Sequence, residues 1–370
     1  LKTPCLVLDI PKLDGNIQRM HGIVSRHGVN LRPHLKTAKS ARIAKRLTQE
    51  QFGGITVSTI KEAVYFFENG FSDITYAVCV TPDKISDCAK LVNHGASLTV
   101  ILDSIDVAHS LDKQFDGSAK LHVLIEIDCG EGRTGIGAQN PKLIQIAQII
   151  DAAEKLNLKG VLTHAGHSYS CQTVEEIQSV AEAERSEAVK AAGFLREQGL
   201  PCEVISTGST PTALHGLSFE GVTEIRPGVF AFGDLFQAQI FTCDYTDMAL
   251  SVLATVISHK PEKSSLVLDA GALALSKDRS TANSPKDYRF GLLADAKGCI
   301  FDPQLVVGSV HQEHGEVTCD KPIDLERFPI GTKVRVYPNH ACSTAAIYDK
   351  YHAVDASGNI TVWGKTTGWF

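Results

Sequence analysis

Through about residue 240 the chain repeats one unit: a short β-branched run, a turn, then an amphipathic helix with cap signals. Predicted strands cover Val29–His34, Gly54–Ser58, Asp73–Val78, Ser97–Leu102, Lys120–Ile127, Gly160–His164, Cys202–Thr207 and Thr223–Pro227. The helices between them carry start and stop signals. Thr59 and Glu62 form a capping-box pattern, and Gly70 follows as a stop. Thr81-Pro82 and Asn140-Pro141 set a cap residue before a first-turn proline. Thr173 and Glu176 open a long helix that closes at Gly199. Eight strands alternating with helices predict a (β/α)8 barrel in preference to a doubly wound sheet. Beyond Phe241 the period changes. Met248–Lys260, Ser265–Ala270, Leu305–Val310, Thr332–Tyr337 and Ile360–Trp363 read as strands, with turns at Gly271, Gly298, Gly315 and Gly358. The predicted organisation is therefore α/β: a barrel over residues 11–241, and a mostly-β domain over 242–370 joined by 1–10.

Composition narrows the class of function. At 370 residues the chain is long enough for two domains, at roughly 150 residues each. With 43% hydrophobic and 21% charged residues, it can bury a sizeable core. No apolar run is long enough to span a bilayer, and Leu1 to Leu13 lack the basic start and apolar core of a secretory signal. A net charge of −6 argues against nucleic acid as a partner. Ten cysteines lie scattered with no CxxC pair, which points to a reducing compartment and a cytoplasmic protein. An enzyme or small-molecule binder is the expectation.

Barrel enzymes draw their chemistry from the C-terminal ends of the strands. Here those ends read Arg32-Pro33-His34-Leu35-Lys36-Thr37, Val57-Ser58-Thr59, the 128–135 stretch from Asp128 to Gly135, Thr163-His164-Ala165-Gly166-His167-Ser168-Tyr169, Ser206-Thr207-Gly208-Ser209-Thr210-Pro211 and Arg226-Pro227-Gly228-Val229. Polar, titratable and glycine residues concentrate there, which favours an enzyme. The Ser/Thr/Gly pieces after the seventh and eighth strands suit a phosphate, and they equally suit a helix cap with a glycine turn. Lys36, close to Arg32 and His34, is suited to forming a Schiff base; it also fits a solvated lysine opening the next helix. In Tyr337-Pro338-Asn339-His340-Ala341-Cys342, strand alternation would turn His340 and Cys342 to one side. A nitrogen and a sulfur there would serve zinc or another late first-row ion, or would simply pack in the core. His311 and His314 either add to a polar site or decorate a loop.

Arg32-Pro33-His34-Leu35-Lys36-Thr37, Glu126-Ile127-Asp128 with Arg133-Thr134-Gly135, the Thr163–Tyr169 stretch and Pro338-Asn339-His340-Ala341-Cys342 together resemble the metal-activated D-serine dehydratase and D-threonine aldolase family. The similarity runs from Thr3-Pro4 to the end of the chain, with the motifs in order. It implies an alanine-racemase-like fold, with a barrel for pyridoxal 5'-phosphate and a C-terminal β domain. Lys36 matches the lysine that joins the cofactor covalently, and Arg133 the arginine near its phenolic oxygen. His164 and Tyr169 match pocket residues around the ring and substrate. Thr207, Gly208, Ser209, Gly228 and Val229 match the phosphate-binding segments. Arg226 stands where racemase relatives set an arginine against the pyridine nitrogen, a place that it or Tyr169 takes here. His340 and Cys342 match the ligands of a divalent metal, with zinc expected and manganese or cobalt as alternatives.

Aldolase members usually carry an aspartate where this chain has Cys342, so the resemblance favours dehydration of D-3-hydroxy amino acids such as D-serine or D-threo-3-hydroxyaspartate. In the implied chemistry Lys36 removes the α-proton and the metal assists departure of the β-hydroxyl, giving a 2-oxo acid and ammonia. The rivals are a D-threonine aldolase, giving glycine and an aldehyde, and a non-catalytic pyridoxal-phosphate carrier. Related folds form head-to-tail dimers, which implies a homodimer.

Overall fold

In the computed structural model, which describes residues 1–369, the chain divides into two compact units. One comprises Arg19–Gly228 with Gly368 and Trp369; the other comprises Leu1–Gln18 with Val229–Thr367. The sequence rhythm sets the divisions at 10/11 and 241/242 instead. Side-chain bonding explains why the intervening residues go with the second unit: Asn16 Nδ2 donates to the carbonyls of Ala231 at 3.1 Å and Asp247 at 2.9 Å.

Within the second unit β1 covers Cys5–Asp9. The first unit then contributes β2 (Asn30–Leu31), β3 (Ile55–Val57), β4 (Asp73–Cys79), β5 (Ser97–Leu102), β6 (Leu121–Ile127), β7 (Leu156–Thr163), β8 (Val204–Thr207) and β9 (Glu224–Ile225). All eight predicted barrel strands are present. They run parallel in the order β2-β9-β8-β7-β6-β5-β4-β3. The ring closes where Leu35 N–H donates to Thr56 O at 2.8 Å and Thr56 N–H to Pro33 O at 3.0 Å. Ile101, Leu124 and Leu162 cluster inside, from β5, β6 and β7. Charge also lies inside. Arg32 donates to Glu224 at 2.7 Å and, through both terminal nitrogens, to Asp73 at 2.8 and 3.0 Å. Arg32 and Glu224 are buried while Asp73 is part-exposed; removing Arg32 costs about 3–5 kcal/mol, because Glu224 is left buried and charged without its cation.

The helix signals resolve unevenly. Thr59 caps Ile60–Glu68 by accepting from Glu62 N–H at 3.0 Å, but the Glu62 carboxylate reaches Ser58 N–H, one residue before the box pattern. Thr173 caps Val174–Glu197, and Asn140 caps Pro141–Ala152. Thr81 does not act as a side-chain cap: its hydroxyl accepts from Lys84 Nζ at 3.0 Å.

The second unit adds β10 (Leu250–Lys260), β11 (Ser265–Leu268), β12 (Leu292–Asp295), β13 (Val306–Val310), β14 (Gly315–Thr318), β15 (Lys333–Tyr337), β16 (Lys350–Val354) and β17 (Ile360–Gly364). The strands β10, β11, β14, β13, β12 and β15 close into an antiparallel ring, since β10 pairs with both β15 and β11. A register shift between Val256 and Ser258 lets one strand serve both neighbours. β12, β14 and β16 were not expected from sequence. The first two are four residues long, too short for alternation to register. Gly315, expected in a turn, starts β14, where its backbone pairs with Leu268 and Val310. Among the described residues no helix is long and apolar enough to cross a membrane.

Candidate active site

Lys36 follows β2 on the turn at the barrel mouth, and its side chain is exposed. Its backbone N–H points to His34 Nδ1 at 3.4 Å. Around it the structure gathers His34, His164 and Arg226. Burial drives the His34 imidazole well below its usual range, with the charges of Lys36 and Arg226 acting in the same direction. Burial likewise lowers His164 to about 3, and Lys36, Arg226 and Arg133 add their positive fields. His164 therefore lies in the electrostatic field of three other expected residues: Lys36, Arg226 and Arg133. Arg133 is exposed, with a 3.4 Å ion pair to Glu131.

Arg226 is buried beneath the mouth and oriented by fixed donors and acceptors. It donates to Ser206 Oγ at 2.7 Å, to the Thr207 carbonyl at 3.1 Å and to the Thr163 carbonyl at 2.6 Å. Ser206 in turn donates to Glu224 at 2.6 Å, which ties Arg226 to the Arg32 set below. Burial lowers the guanidinium's proton affinity, against the pull of Glu224, Glu184 and Glu126.

The segments after β8 and β9 leave room of a particular kind. Gly208 has φ +108°, and a Cβ there would lie 3.0 Å from Arg226 N. A Cβ on Gly228 would lie 2.6 Å from the His34 carbonyl oxygen. Both positions admit only backbone, which is what close approach to a phosphate requires. Ser209 also carries out the capping role left open by the sequence: its hydroxyl accepts from Thr212 N–H at 3.3 Å and its own N–H reaches Thr212 Oγ1 at 2.9 Å. That hydroxyl also bonds Ser168 at 2.8 Å. Tyr169 Oη accepts from Thr210 N–H at 3.4 Å, which joins the loop after β7 to the one after β8. Val229 lies at the head of the second unit.

The His340 and Cys342 pair forms, but not by strand alternation. β15 ends at Tyr337, and the chain turns at Pro338-Asn339 so that His340 becomes the N-cap of helix Ala341–Ile347. Cys342 sits in that helix's first turn and hydrogen-bonds His340. His340 Nδ1 also faces Asp278 Oδ2 at 3.3 Å and Ser343 Oγ at 3.2 Å. Burial opposes the imidazolium, yet Asp278 and Cys342 outweigh it and raise His340 to about 11. Burial opposes the Asp278 carboxylate as well, but His340 and Ser280 hold it down at about 2. Buried Asp234 fixes this turn from behind, accepting from Ala341 N–H at 2.8 Å and Gln237 N–H at 2.7 Å. With Nδ1 engaged by a carboxylate, Nε2 of His340 is the nitrogen that would join the Cys342 sulfur on a soft divalent ion. The donor set fits such an ion.

Sequence reading missed Asp278, Asp234, Glu224 and Glu184, and placed Ser206 only within a strand-end cluster. Cys79, Asp103 and Glu126 also approach one another within 4.8 Å inside the barrel, where the Cys79 thiol donates to Glu126 at 3.0 Å. His311 stays apart, exposed and 3.5 Å from Glu316.

Known proteins resemble this chain along its whole length. The alanine racemase N-terminal domain matches residues 8–235, and the putative serine dehydratase domain matches residues 249–354. A D-threo-3-hydroxyaspartate dehydratase from Delftia sp. is 42% identical over 376 residues, covering 100% of this chain and 98% of that one. A D-serine dehydratase from Dictyostelium discoideum is 32% identical, covering 97% and 95%. The solved structure of a cysteine-to-alanine mutant of D-threo-3-hydroxyaspartate dehydratase, in its metal-free form, superposes with a TM-score of 0.96 at 41% identity, covering 100% of this chain and 98% of that one. With both domains matched in order and this similarity extending along its whole length, the chain belongs to the alanine-racemase-like family of serine dehydratases.

Proposed function

We propose that this protein is a lyase that uses pyridoxal phosphate and a divalent metal, zinc by preference, to dehydrate D-3-hydroxy amino acids such as D-serine or D-threo-3-hydroxyaspartate. The observation that carries the reading is the His340–Cys342–Asp278 set, present in the same chain as the Lys36 cation cluster. A barrel that merely carried a cofactor would have no use for the first.

When bound, pyridoxal phosphate supplies an electron sink for the carbanion at Cα, and the metal a Lewis acid for the β-hydroxyl. Lys36 would hold the cofactor covalently and accept the α-proton at Nζ. His164 stays neutral at working pH; its Nδ1–H donates to the Gly208 carbonyl at 3.4 Å, which leaves Nε2 toward the substrate as an acceptor. Arg226, oriented by Ser206, Thr207 and Thr163, would supply a fixed positive charge for the ring nitrogen. Arg133 serves the phenolic oxygen and Tyr169 the pocket wall. Thr207, Gly208, Ser209, Gly228 and Val229 hold the phosphate. His340 Nε2 and Cys342 Sγ hold the ion, with Asp278 fixing the imidazole. The products would be the 2-oxo acid and ammonia. The working form in this reading is a cytoplasmic homodimer.

The test is product identification after incubation with D-serine, D-threonine and D-threo-3-hydroxyaspartate. A 2-oxo acid with stoichiometric ammonia is expected. Glycine with an aldehyde would make the protein an aldolase instead, and no product from any of the three would overturn the reading.

A further inference from the structure

The helix Val174–Glu197 buries Ile177, Ala181, Glu184, Ala188, Ala191, Ala192 and Leu195, a stripe with helical spacing. Six of these side chains are apolar. The seventh is a glutamate, 2% exposed, and a carboxylate is almost never buried so fully without a task. Its task is visible in the hydrogen bonds. One oxygen, Oε1, accepts from Ala165 N–H at 2.9 Å and from Gly208 N–H at 3.0 Å. Thr212 hydrogen-bonds the same carboxylate.

Ala165 follows His164 on the loop after β7, and Gly208 opens the segment after β8. The two loops meet again on the other side, where His164 Nδ1 donates to the Gly208 carbonyl. Gly208 is thus held at both ends of its residue, by its N–H to Glu184 and by its C=O to His164. Because that N–H is engaged, Gly208 serves a phosphate by leaving space and not by donating. We infer that Glu184 is a positioning residue: from outside the site, one carboxylate oxygen sets the His164 loop and the Gly208 phosphate segment in register. Charge-assisted bonds to backbone amides are suited to this, being short, directional and about twice as strong as neutral ones. The inference rests on the proposed binding of pyridoxal phosphate at Lys36.

The test compares affinities of the full-length chain, freed of cofactor, for pyridoxal phosphate and for pyridoxal, which lacks the phosphate. In Glu184→Leu the ratio of the two affinities is expected to fall about tenfold or more, from the loss of two bonds to a charged acceptor. In Glu184→Gln, whose amide oxygen can accept from the same two N–H groups, the ratio is expected within about threefold of wild type. An unchanged ratio in Glu184→Leu overturns the inference. So does a tenfold fall in Glu184→Gln, and that variant decides alone if the leucine variant does not fold. Borohydride trapping of pyridoxal phosphate on Lys36 in the wild-type chain separates the two claims: trapping with an unmoved ratio removes only the role of Glu184.

Discussion

Lys36 carries the heaviest burden of any single residue in the proposed site, and it sits close enough to His34 and His164 for its charge to act on both imidazoles. Borohydride is expected to fix the cofactor on Lys36, with the label found by peptide mapping, and Lys36→Ala is expected to lose the cofactor's visible absorbance and at least about a thousandfold in turnover. A label on another lysine removes Lys36 from the site. His164 gives a second residue-level expectation. Its folded value of about 3 lies below the roughly 6.5 of an unfolded histidine, so between these values the unfolded chain binds the extra proton. Stability from this group is complete above pH ~6.5 and is lost as pH falls toward 3. The thermal midpoint of the cofactor-free protein should therefore drop between pH 7 and 4.5, and His164→Gln should flatten that slope. Equal slopes in the two proteins would show that His164 is not held neutral by the fold.

Strands and loops do their work here by leaving backbone where a side chain would intrude. Gly228 stands against the His34 carbonyl and Gly208 against Arg226 N, so a valine at either position must displace backbone as well as fill the cradle. Gly208→Val and Gly228→Val are each expected to weaken cofactor affinity by about tenfold or more, at roughly 1.4 kcal/mol per factor of ten, with little change in metal content. Titration of absorbance and metal analysis on the same samples check this. Unchanged affinity in both variants returns the two glycines to ordinary turn duty. At the far end of β15 a helix start places two donors on one side within three residues, the task that strand alternation was expected to perform. The break at Pro338-Asn339 makes this happen, because a cap residue and the first helical turn bring positions i and i+2 closer than a flat strand does.

For the whole molecule, the proposed metal ligands and all the proposed cofactor residues except Val229 fall in different compact units. Lys36, His164 and Arg226 belong to the parallel barrel, whereas His340, Cys342 and Asp278 belong to the antiparallel unit. Their losses should therefore be separable. Chelation is expected to abolish turnover while the cofactor's absorbance stays, and Cys342→Ala should reproduce the chelated enzyme. Zinc or cobalt should restore the chelated protein better than magnesium, which prefers oxygen ligands. Cys342→Asp should retain part of the metal. Equal metal content and normal turnover in Cys342→Ala would return the cysteine to packing, and the metal site would fail with it.

Local chain physics made the barrel readable. Each β-branched run, each cap such as Thr173 or Asn140, and each strand-end cluster depends on neighbours within about four residues, and that information lies in the sequence in order. Lys36 was readable for the same reason, as a lysine at the end of a strand. What escaped depends on burial across long separations. Arg32 finds Glu224 from 192 residues away, and His340 finds Asp278 from 62. Glu184 looks in sequence like its neighbours Glu182 and Glu187, which face outward on the same helix. Composition and periodicity state that a helix will have one buried stripe; only the packed structure decides which carboxylate lies on it and which backbone amides it meets there.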